Sequence, residues 1–337
     1  MNSIINHRGI FNHRGHGVTR SNNIYFITSS VKLCVTLWLL IIFVFLGCYN
    51  ERSRKIVDRA GIEVQITYPI ERIISMAPSN TEIIIDLGLK EKLIAVDQHS
   101  KDLVEKYLTD KNLFDKNFVL LDFFFPDAEV IIQLQPDLII ASGHNSTGSG
   151  IDPFVMLRQM GIPVVYIPMS RSINDIYDDI TFIAEILQVQ ENGKVLIEKM
   201  KMQIETITER TKDIQNQKTI YFEISPAPEM MTFGKNSFIS DKITAINAKN
   251  IFENENWLVV PSAEIIISRN PDVILTNVNY IDDPIAEIKS RPAFNQINAV
   301  KNNRVYYIDN NSSVRASARI IFALEQMSML VYPEQYD

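Results

Sequence analysis

The sequence predicts an α/β protein of two similar lobes with mostly parallel sheets, joined by a single long interdomain helix. Three observations carry this prediction. They are a long amphipathic stretch in mid-chain, an internal repeat on either side of it, and an alternation of apolar runs with helical patterns in both halves. At 337 residues, the chain is long enough for two domains of ordinary size.

The central stretch covers residues 190 to 215 and has the periodicity of an α-helix. About 25 residues at 1.5 Å each make a rod of roughly 37 Å. Only Gly193 interrupts the run, and Glu and Lys fill the polar face. By itself such a helix is also typical of the surface of a single domain, so its flanks decide the interpretation. The apolar stripe consists of Leu196, Met200, Ile204, Ile207, Thr211 and Ile214.

The two flanks of this stretch resemble each other. Residues 128 to 142 read AEVIIQLQPDLIIAS and residues 263 to 277 read AEIIISRNPDVILTN, with seven of fifteen positions identical. The copies lie 135 residues apart, far beyond the roughly 20 to 50 residues of a solenoid repeat. The repeat therefore predicts two similar lobes with the long helix between them.

Strand and helix patterns alternate within each predicted lobe, which favours a parallel sheet. A helix from residue 81 closes near Gly88, with Ser79 or Asn80 as its N-cap. Ligands of open α/β sheets bind at the carboxyl ends of the strands. The corresponding segments are rich in Asn, Ser, Met and aromatic residues, which suits a sizeable, partly apolar ligand. They are residues 78–80, 97–100, 143–150, 225–233, 277–282 and the predicted loop and helix start at 309–315.

The first fifty residues have the features of an export signal. Residues 33 to 46 form an apolar run shorter than the roughly 20 residues that span a bilayer, as in a signal peptide. Phe45-Leu46-Gly47-Cys48 resembles a bacterial lipobox, so Cys48 is the predicted lipidation site. An uncleaved membrane anchor is the alternative, and both place the remainder outside the cytoplasmic membrane. Residues 1 to 30 are long for such a signal, and we expect translation to begin near Val31.

Composition excludes several classes of function. From residue 48 onward the chain holds 29 basic and 40 acidic residues, which disfavours nucleic acid as a partner. The only cysteines are Cys34 and Cys48, so the body of the chain contains neither a disulfide nor a CxxC metal site. It also lacks HExxH, G-x-S-x-G and a cysteine nucleophile, which disfavours an enzyme. The glycine-rich loop 143–150 lacks the GK[ST] ending of a P-loop.

Several motifs resemble those of the substrate-binding proteins of ABC importers for vitamin B12, ferric siderophores and haem. Residues 72–82, RIISMAPSNTE, are the most specific, and PDLII and PDVIL are the paired helix-PD-strand units. VDRAG at 57–61 resembles the opening D-x-x-G, and MTFGK at 231–235 a small-Gly-Lys turn. RASAR at 315–319 resembles R-x-x-P-R with Ala318 in place of Pro, and Asn247-Ala248 replaces a glycine pair.

The resemblance covers residues 55 to 333 and implies two lobes that move little on ligand binding. It predicts a signal peptide with lipobox at 1–47, a tether and edge strand at 48–68, an N-terminal lobe at 69–188, the interdomain helix at 189–216 and a C-terminal lobe at 217–337.

The resemblance also implies a docking surface. In that family one carboxylate on each lobe pairs with arginines of the membrane permease, and Glu129 and Glu264 match those carboxylates. Each glutamate also suits the first turn of its helix, where it favours the macrodipole.

The predicted function is an extracytoplasmic, lipid-anchored receptor in the periplasm or on the cell surface. As a monomer, it would capture a metal chelate and deliver it to a permease with its ATPase subunit. We expect no resident cofactor, although the ligand would contain iron or cobalt, as in cobalamin, a ferric siderophore or haem. The candidate ligand-binding residues are Asn80, His99, Phe124, His144, Met231, Phe233, Trp257, Tyr280, Asn311 and Arg315.

Among these ligands, haem would use axial Tyr or His ligation, for which Tyr280 and His144 are candidates. Two alternatives to a chelate receptor stay open. A receptor for bare zinc or manganese would use His99 and His144 with carboxylates such as Asp97 or Glu229. The other alternative is a purely structural or adhesive lipoprotein.

Overall fold

The computed structural model of the chain describes residues 52–107, 119–143 and 152–336. The predicted signal peptide, Cys48, His144 and the glycine-rich loop from residue 144 on lie outside these residues. Within the described ranges, no helix combines the length and apolarity that a membrane crossing needs.

The first lobe is built on a five-stranded sheet whose neighbouring strands are all parallel. The strand order is β5-β4-β3-β6-β7, so the chain reverses its direction of winding at the β3/β6 pair. The strands are β3 (Ile73–Ser75), β4 (Leu93–Asp97), β5 (Val119–Leu121), β6 (Leu138–Ser142) and β7 (Val164–Ile167). The helices are α1 (Pro78–Asp86), α2 (Lys101–Tyr107), α3 (Ala128–Leu134), α4 (Val155–Gln159) and α5 (Ile173–Ile186).

The second lobe repeats this plan with a four-stranded parallel sheet, in the order β10-β8-β12-β13, and a two-stranded antiparallel ribbon of β9 and β11. The strands are β8 (Thr219–Glu223), β9 (Thr232–Phe233), β10 (Lys249–Asn250), β11 (Leu258–Val259), β12 (Val273–Thr276) and β13 (Val305–Tyr307). The helices are α7 (Phe238–Ala245), α8 (Ala263–Arg269), α9 (Pro284–Ser290), α10 (Asn298–Lys301), α11 (Asn310–Val314) and α12 (Ile320–Val331).

The internal repeat has one local geometry in both lobes. α3 and α8 each end at a residue in the left-handed region, Gln135 and Asn270, both at φ 46°. Pro and Asp follow in each case. The Asp137 Oδ2 accepts the backbone N–H of Arg72 at 2.8 Å, and the Asp272 Oδ2 accepts that of Thr219 at 3.0 Å. Each aspartate thus ties its own helix-strand unit to the start of the central strand of its lobe.

The predicted long helix is α6 (Gln190–Thr211), which joins the lobes. Its residues Met200 and Ile207 belong to a core that also contains Ile183 of the first lobe and Leu324 of the second. Gly193 is required where α6 meets α5, since a Cβ there would lie 2.6 Å from the Ala184 Cβ. The two-lobed α/β fold predicted from the sequence is confirmed.

The predicted end of this helix is wrong by a few residues. The helix stops at Thr211 because the Asn247 Nδ2 donates to the carbonyls of Thr211 at 2.8 Å and Ile214 at 3.0 Å. Asn247 itself adopts φ 54°, a conformation that Asn tolerates better than most residues. With Asn247-Ala248 in place of the glycine pair, the turn at residue 247 is therefore kept, and the Asn247 side chain also caps the C-terminal end of α6.

Other local predictions are also corrected. Part of the predicted tether forms β1 (Arg52–Val57), which pairs with β2 (Glu63–Tyr68). Ser79 and Asn80 do not cap α1, because the helix already begins at Pro78 and its N-cap is Ala77. The predicted loop 309–313 is mostly the short helix α11, capped by Asp309, and the final helix starts only at Ile320.

The opening D-x-x-G motif has a structural explanation. The buried Asp58 carboxylate accepts the backbone N–H groups of Ala60 and Ile62 and, through its second oxygen, that of Tyr166 at the edge strand β7. The motif therefore fastens the N-terminal hairpin to the first lobe.

Candidate functional site

A cavity of about 600 Å³ lies between the lobes at the carboxyl ends of their strands. Both lobes contribute residues, and the described lining is mainly apolar and neutral polar. From the first lobe it contains Ala77, Pro78, Ser79, Asn80, His99, Phe123, Ser142, Ile167, Pro168, Met169, Ser170 and Asp179. From the second it contains Ile224, Phe233, Ser237, Phe238, Ile239, Trp257, Asn277, Asn310, Asn311, Val314, Arg315 and Ala316.

The structure brings together six of the ten predicted ligand-binding residues. His144 lies outside the described residues, and three others lie away from this lining. Tyr280 is 66% exposed, and Met231 pairs through its backbone with Ser225. The six that line the cavity are Asn80, His99, Phe233, Trp257, Asn311 and Arg315.

Phe124 is replaced in the lining by its neighbour Phe123. The Asp122 Oδ1 accepts the backbone N–H groups of both Phe124 and Phe125, at 2.9 Å and 2.7 Å, and so closes a tight turn. The Phe123 ring packs edge-on against His99, with 5.5 Å between ring centroids, while Phe124 is 44% exposed. The run of three phenylalanines gave no sequence signal for which ring points inward.

The first lobe positions its polar groups at the strand switch point. The Asn80 side chain, 1% exposed in the first turn of α1, donates to the Ala141 carbonyl at 3.4 Å. His99 lies in a short 3₁₀ turn held by Asp97, whose Oδ1 accepts the His99 backbone N–H and whose Oδ2 accepts the Ser100 hydroxyl. Burial raises the pKa of Asp97 above its usual value.

The second lobe contributes a linked group of neutral polar residues. The Asn277 Nδ2 donates to the Ser313 hydroxyl oxygen, and the Asn310 Nδ2 donates to the Asn277 carbonyl, each at 2.8 Å. The Oδ1 of Asn277 is buried and has no hydrogen-bond partner among the described protein atoms. Because Asn277 lines the cavity, this oxygen offers a ligand an acceptor whose desolvation cost has already been met in the folded protein.

Lys242 lies fully buried behind this group. Its Nζ donates at 2.7 Å to the carbonyl of Ser313 in α11, the helix that begins with Asn310 and Asn311. Burial lowers the pKa of Lys242 to about 7. The lysine thus ties α7 to the helix that presents two asparagines to the cavity.

An aromatic wall closes the second lobe's side. The rings of Phe233 and Trp257 lie 4.9 Å apart, and the Arg171 guanidinium of the first lobe lies 4.8 Å from the Trp257 centroid. Trp257 adopts φ 58°, a strained conformation for an aromatic residue, of order 1–3 kcal/mol. Its backbone is held by Gly234 and Lys235, and a Cβ at Gly234 would lie 2.1 Å from the Glu255 carbonyl oxygen.

An ion cluster centred on the buried Glu82 and Arg315 joins the lobes at one side of the cavity. Arg315 donates to Asp102 at 2.8 Å and to Glu82 at 3.2 Å, so the first lobe's carboxylates engage its guanidinium. The Glu82 carboxylate, 4% exposed, also pairs with Arg319 and accepts the hydroxyl of Ser317. Arg315, predicted as a ligand contact, therefore acts first as a bridge between the lobes.

Asp179 is the acidic residue of the described lining that the sequence analysis missed. It lies within α5, where no strand-end signal could reveal it, and it is 2% exposed. The Arg59 Nε donates to its Oδ1 at 2.9 Å and the Ser170 hydroxyl to its Oδ2 at 2.7 Å. Burial outweighs these partners and raises the pKa of Asp179 to about 6. Asn277 and Asn310 also line the cavity. Both lie within the predicted strand-end segments, but neither was among the ten predicted ligand-binding residues.

In the described part of the chain, no three His, Cys, Asp or Glu side chains lie close enough together to hold a metal ion. His99 packs against Phe123, and its predicted partner His144 lies outside the described residues.

Glu129 and Glu264 occupy equivalent places, each in the first turn of its repeat helix and exposed. Asp127 and Ser262 provide the helix caps, so the glutamates themselves are not needed for capping. Within the described residues neither carboxylate forms a salt bridge with a basic group. A side-chain hydrogen bond from Ser262 lowers the pKa of Glu264, which keeps it ionised.

Comparison with known proteins identifies this architecture. Residues 73–312 match the family model described as periplasmic binding protein. The chain belongs to the periplasmic binding protein family. It is 29% identical over 319 residues to the uncharacterized ABC transporter substrate-binding lipoprotein YvrC of Bacillus subtilis, covering 88% of this chain and 96% of that protein. It is 28% identical to a vitamin B12-binding protein of Vibrio campbellii, covering 77% and 88%.

Among solved structures, a possible iron-binding (periplasmic solute-binding) protein from Staphylococcus epidermidis is 30% identical, with a TM-score of 0.69. The match covers 79% of this chain and 100% of that one. As a member of this family the chain is a solute-binding component of transport and not an enzyme. The cavity between its lobes is the candidate solute site.

Proposed function

We propose that this periplasmic binding protein is the extracytoplasmic substrate-binding lipoprotein of an ABC importer, anchored through Cys48, and that it captures a metal chelate. The cavity between the lobes carries this proposal, because its volume of about 600 Å³ and its aromatic and amide lining suit a large, partly apolar ligand. The names of the relatives, an ABC transporter lipoprotein and a vitamin B12-binding protein, support the same class.

The charges of the described lining favour a chelate of low net charge. Asp179 is paired with Arg59, and Arg315 is paired with Asp102, so both formal charges are compensated within the protein. The remaining polar groups include Asn80, Asn277 and Asn311, which donate and accept without charge. Cobalamin, which offers amides to such groups, fits this lining better than an anionic siderophore or haem.

Trp257 provides the test, because it is the only tryptophan after the proposed lipidation site and it lines the cavity. We would titrate the processed chain with cobalamin, hemin, several ferric siderophores and Zn²⁺ or Mn²⁺, following its fluorescence and the visible absorbance. Submicromolar binding of one chelate is the expected result. The visible absorbance, which does not depend on Trp257 as a reporter, should show that this binding is lost in Trp257→Ala. Binding of a bare ion alone would overturn the proposal.

Delivery to the permease is a separate part of the proposal. Glu129 and Glu264, one per lobe, would pair with basic groups of a permease and its ATPase subunit, with one copy of this chain per transporter. We expect the double reversal Glu129→Lys/Glu264→Lys to abolish uptake and to leave the affinity for the soluble ligand unchanged. Normal uptake by this double variant would contradict the docking role.

A further inference from the structure

The internal repeat extends beyond the two glutamates into an exposed apolar segment. Residues 124–130 read FFPDAEV and residues 259–265 read VVPSAEI, with a proline at the same place in each. Phe125 and Val260 are equivalent, each four residues before its glutamate. Phe125 is 73% exposed and Val260 is 60% exposed. Both lobes therefore present a large apolar side chain to solvent at the same position beside an exposed carboxylate.

Neighbouring side chains enlarge each position into a patch. In the first lobe the neighbouring Phe124 is also exposed. The turn closed by Asp122, which accepts the backbone N–H groups of both residues, fixes their backbone positions. In the second lobe, antiparallel pairing of β11 with β9 makes side chains alternate, so Leu258 and Val260 are exposed while Val259 packs on the core. We call Phe124 and Phe125 the first-lobe patch, and Leu258 and Val260 the second-lobe patch.

Single exposed apolar residues are ordinary on a protein surface, but these are grouped, and one member of each patch, Phe125 or Val260, occupies the repeat-equivalent position. The backbone around these apolar residues is ordered by a turn in the first lobe and by the β9–β11 pairing in the second. The apolar residues do not cap α3 or α8, whose N-caps are Asp127 and Ser262. A recurrence in both lobes indicates a partner that offers the same surface twice, as a two-fold symmetric assembly does.

We propose that the two patches, together with Glu129 and Glu264, form one bipartite docking surface for the outer face of the two-fold permease. This inference rests on the proposed transport function and adds to it the apolar half of the interface. The partner would present a basic group flanked by an apolar surface on each half. An anionic membrane surface is disfavoured as the occupant, because it would repel both carboxylates.

The two components of the surface differ in their dependence on salt. Pairing of exposed carboxylates with basic groups weakens as salt is added, whereas burial of apolar side chains does not. Binding to the permease should therefore retain a salt-resistant part in the Glu129→Gln/Glu264→Gln variant. That part should disappear when the patches are also made polar.

The first experiment is site-specific photo-crosslinking in the source cells with the full chain. Benzoylphenylalanine replaces Phe125, Val260 or, as a control, Phe322 on α12, which is 66% exposed and lies outside both patches. We expect crosslinks from positions 125 and 260, but not from 322, to a multispanning permease subunit identified by mass spectrometry. Crosslinks only to proteins other than a transporter would overturn both this inference and the proposed function.

The second experiment measures affinity for the permease–ATPase complex identified in this way, held in lipid nanodiscs. We expect the lipidated Phe125→Ser/Val260→Ser variant to bind about ten-fold more weakly or worse, from the apolar area lost at the interface. Phe322→Ser is the matched control and should bind like the wild type. Because all three side chains are exposed, the thermal midpoint and ligand affinity should stay unchanged.

The variants separate the two claims. Wild-type affinity of Phe125→Ser/Val260→Ser, with binding lost in Glu129→Lys/Glu264→Lys, would overturn the patches and leave the proposed function intact. Loss of binding in both, with unchanged ligand affinity, supports the bipartite surface.

Discussion

Asp137 in the first lobe and Asp272 in the second hold the same position in the same helix-Pro-Asp-strand unit, whereas the buried groups behind the cavity differ between the lobes. The first lobe buries a carboxylate, Asp179, and the second buries an amine, Lys242. The repeated unit is held by hydrogen bonds within its own lobe, from backbone N–H groups to the aspartate side chain, and needs no partner from the other lobe. The buried charged group near the cavity depends on which helix packs there, α5 with Asp179 in the first lobe and α7 with Lys242 in the second. In this respect the two lobes differ.

The largest effect should come from the cluster that joins the lobes. Glu82→Gln leaves Arg315 and Arg319 with one fewer charge partner in a buried site, and we expect it to cost about 3–5 kcal/mol of unfolding free energy. Urea unfolding measures this. Glu63→Gln is the control, because its ion pair with Lys55 is exposed and should contribute about 1 kcal/mol or less. Equal stability of the two variants would show that the cluster does not hold the lobes.

The second prediction compares how the two buried groups, Lys242 and Asp179, make the stability of the protein depend on pH. The pKa of Lys242 falls to about 7 on folding, from about 10.4 in the unfolded chain, so the unfolded state binds more protons between these values. Stability should therefore rise with pH from about 7 to about 10. Lys242→Met should flatten this rise, by at most about 5 kcal/mol.

Asp179 should give the opposite slope at lower pH. Its pKa rises to about 6 on folding, from about 3.9, so the folded state binds more protons in that window. Stability should fall as pH rises from about 4 to about 6, and Asp179→Asn should flatten the fall, by at most about 3 kcal/mol. Denaturant titrations at fixed pH check both signs. Parallel pH profiles of wild type and variant would contradict the prediction for that lobe.

The third prediction tests the shared unit. Asp272→Ala leaves the half-buried backbone N–H and hydroxyl of Thr219 without their acceptor and should cost about 1–3 kcal/mol. Asp137→Ala removes the acceptor of two backbone N–H groups at exposed residues, Glu71 and Arg72, and should cost about 1 kcal/mol. Chemical denaturation measures both against Asp213→Ala, an exposed control that should change little. A cost confined to one lobe would show that the two units are alike in sequence but not in energetics.

The smallest effect concerns the stacking of the lobes at the aromatic wall. Arg171→Ala removes the guanidinium over Trp257 and should cost about 0.5–1 kcal/mol while shifting tryptophan emission to longer wavelength. Arg210→Ala is a matched control, because Arg210 stacks on Tyr336 instead. Unchanged emission in Arg171→Ala would mean that this contact does not persist in solution.

Much of the fold was readable from the sequence because its signals are local and periodic. The stripe of α6 follows from 3.6 residues per turn, and the repeat follows from two copies of one helix-Pro-Asp-strand unit. Strand ends also predicted the general position of the cavity, since parallel strands place their carboxyl ends at one edge. Helix ends were less accurate, as at Thr211, because Asn247, far along the chain, decides where the helix stops.

Which side chains reach the cavity was decided by the tertiary structure. Phe123 faces inward instead of Phe124 because of one turn at Asp122, and Asp179 reaches the cavity from inside a helix whose own pattern shows no site. Arg315 matched a ligand contact in the sequence, yet it binds Asp102 and Glu82 of the other lobe. The sequence by itself determined the two lobes, their helix and the edge at which a ligand would lie. The direction of each side chain depended on contacts between residues far apart in the chain, which no local pattern records.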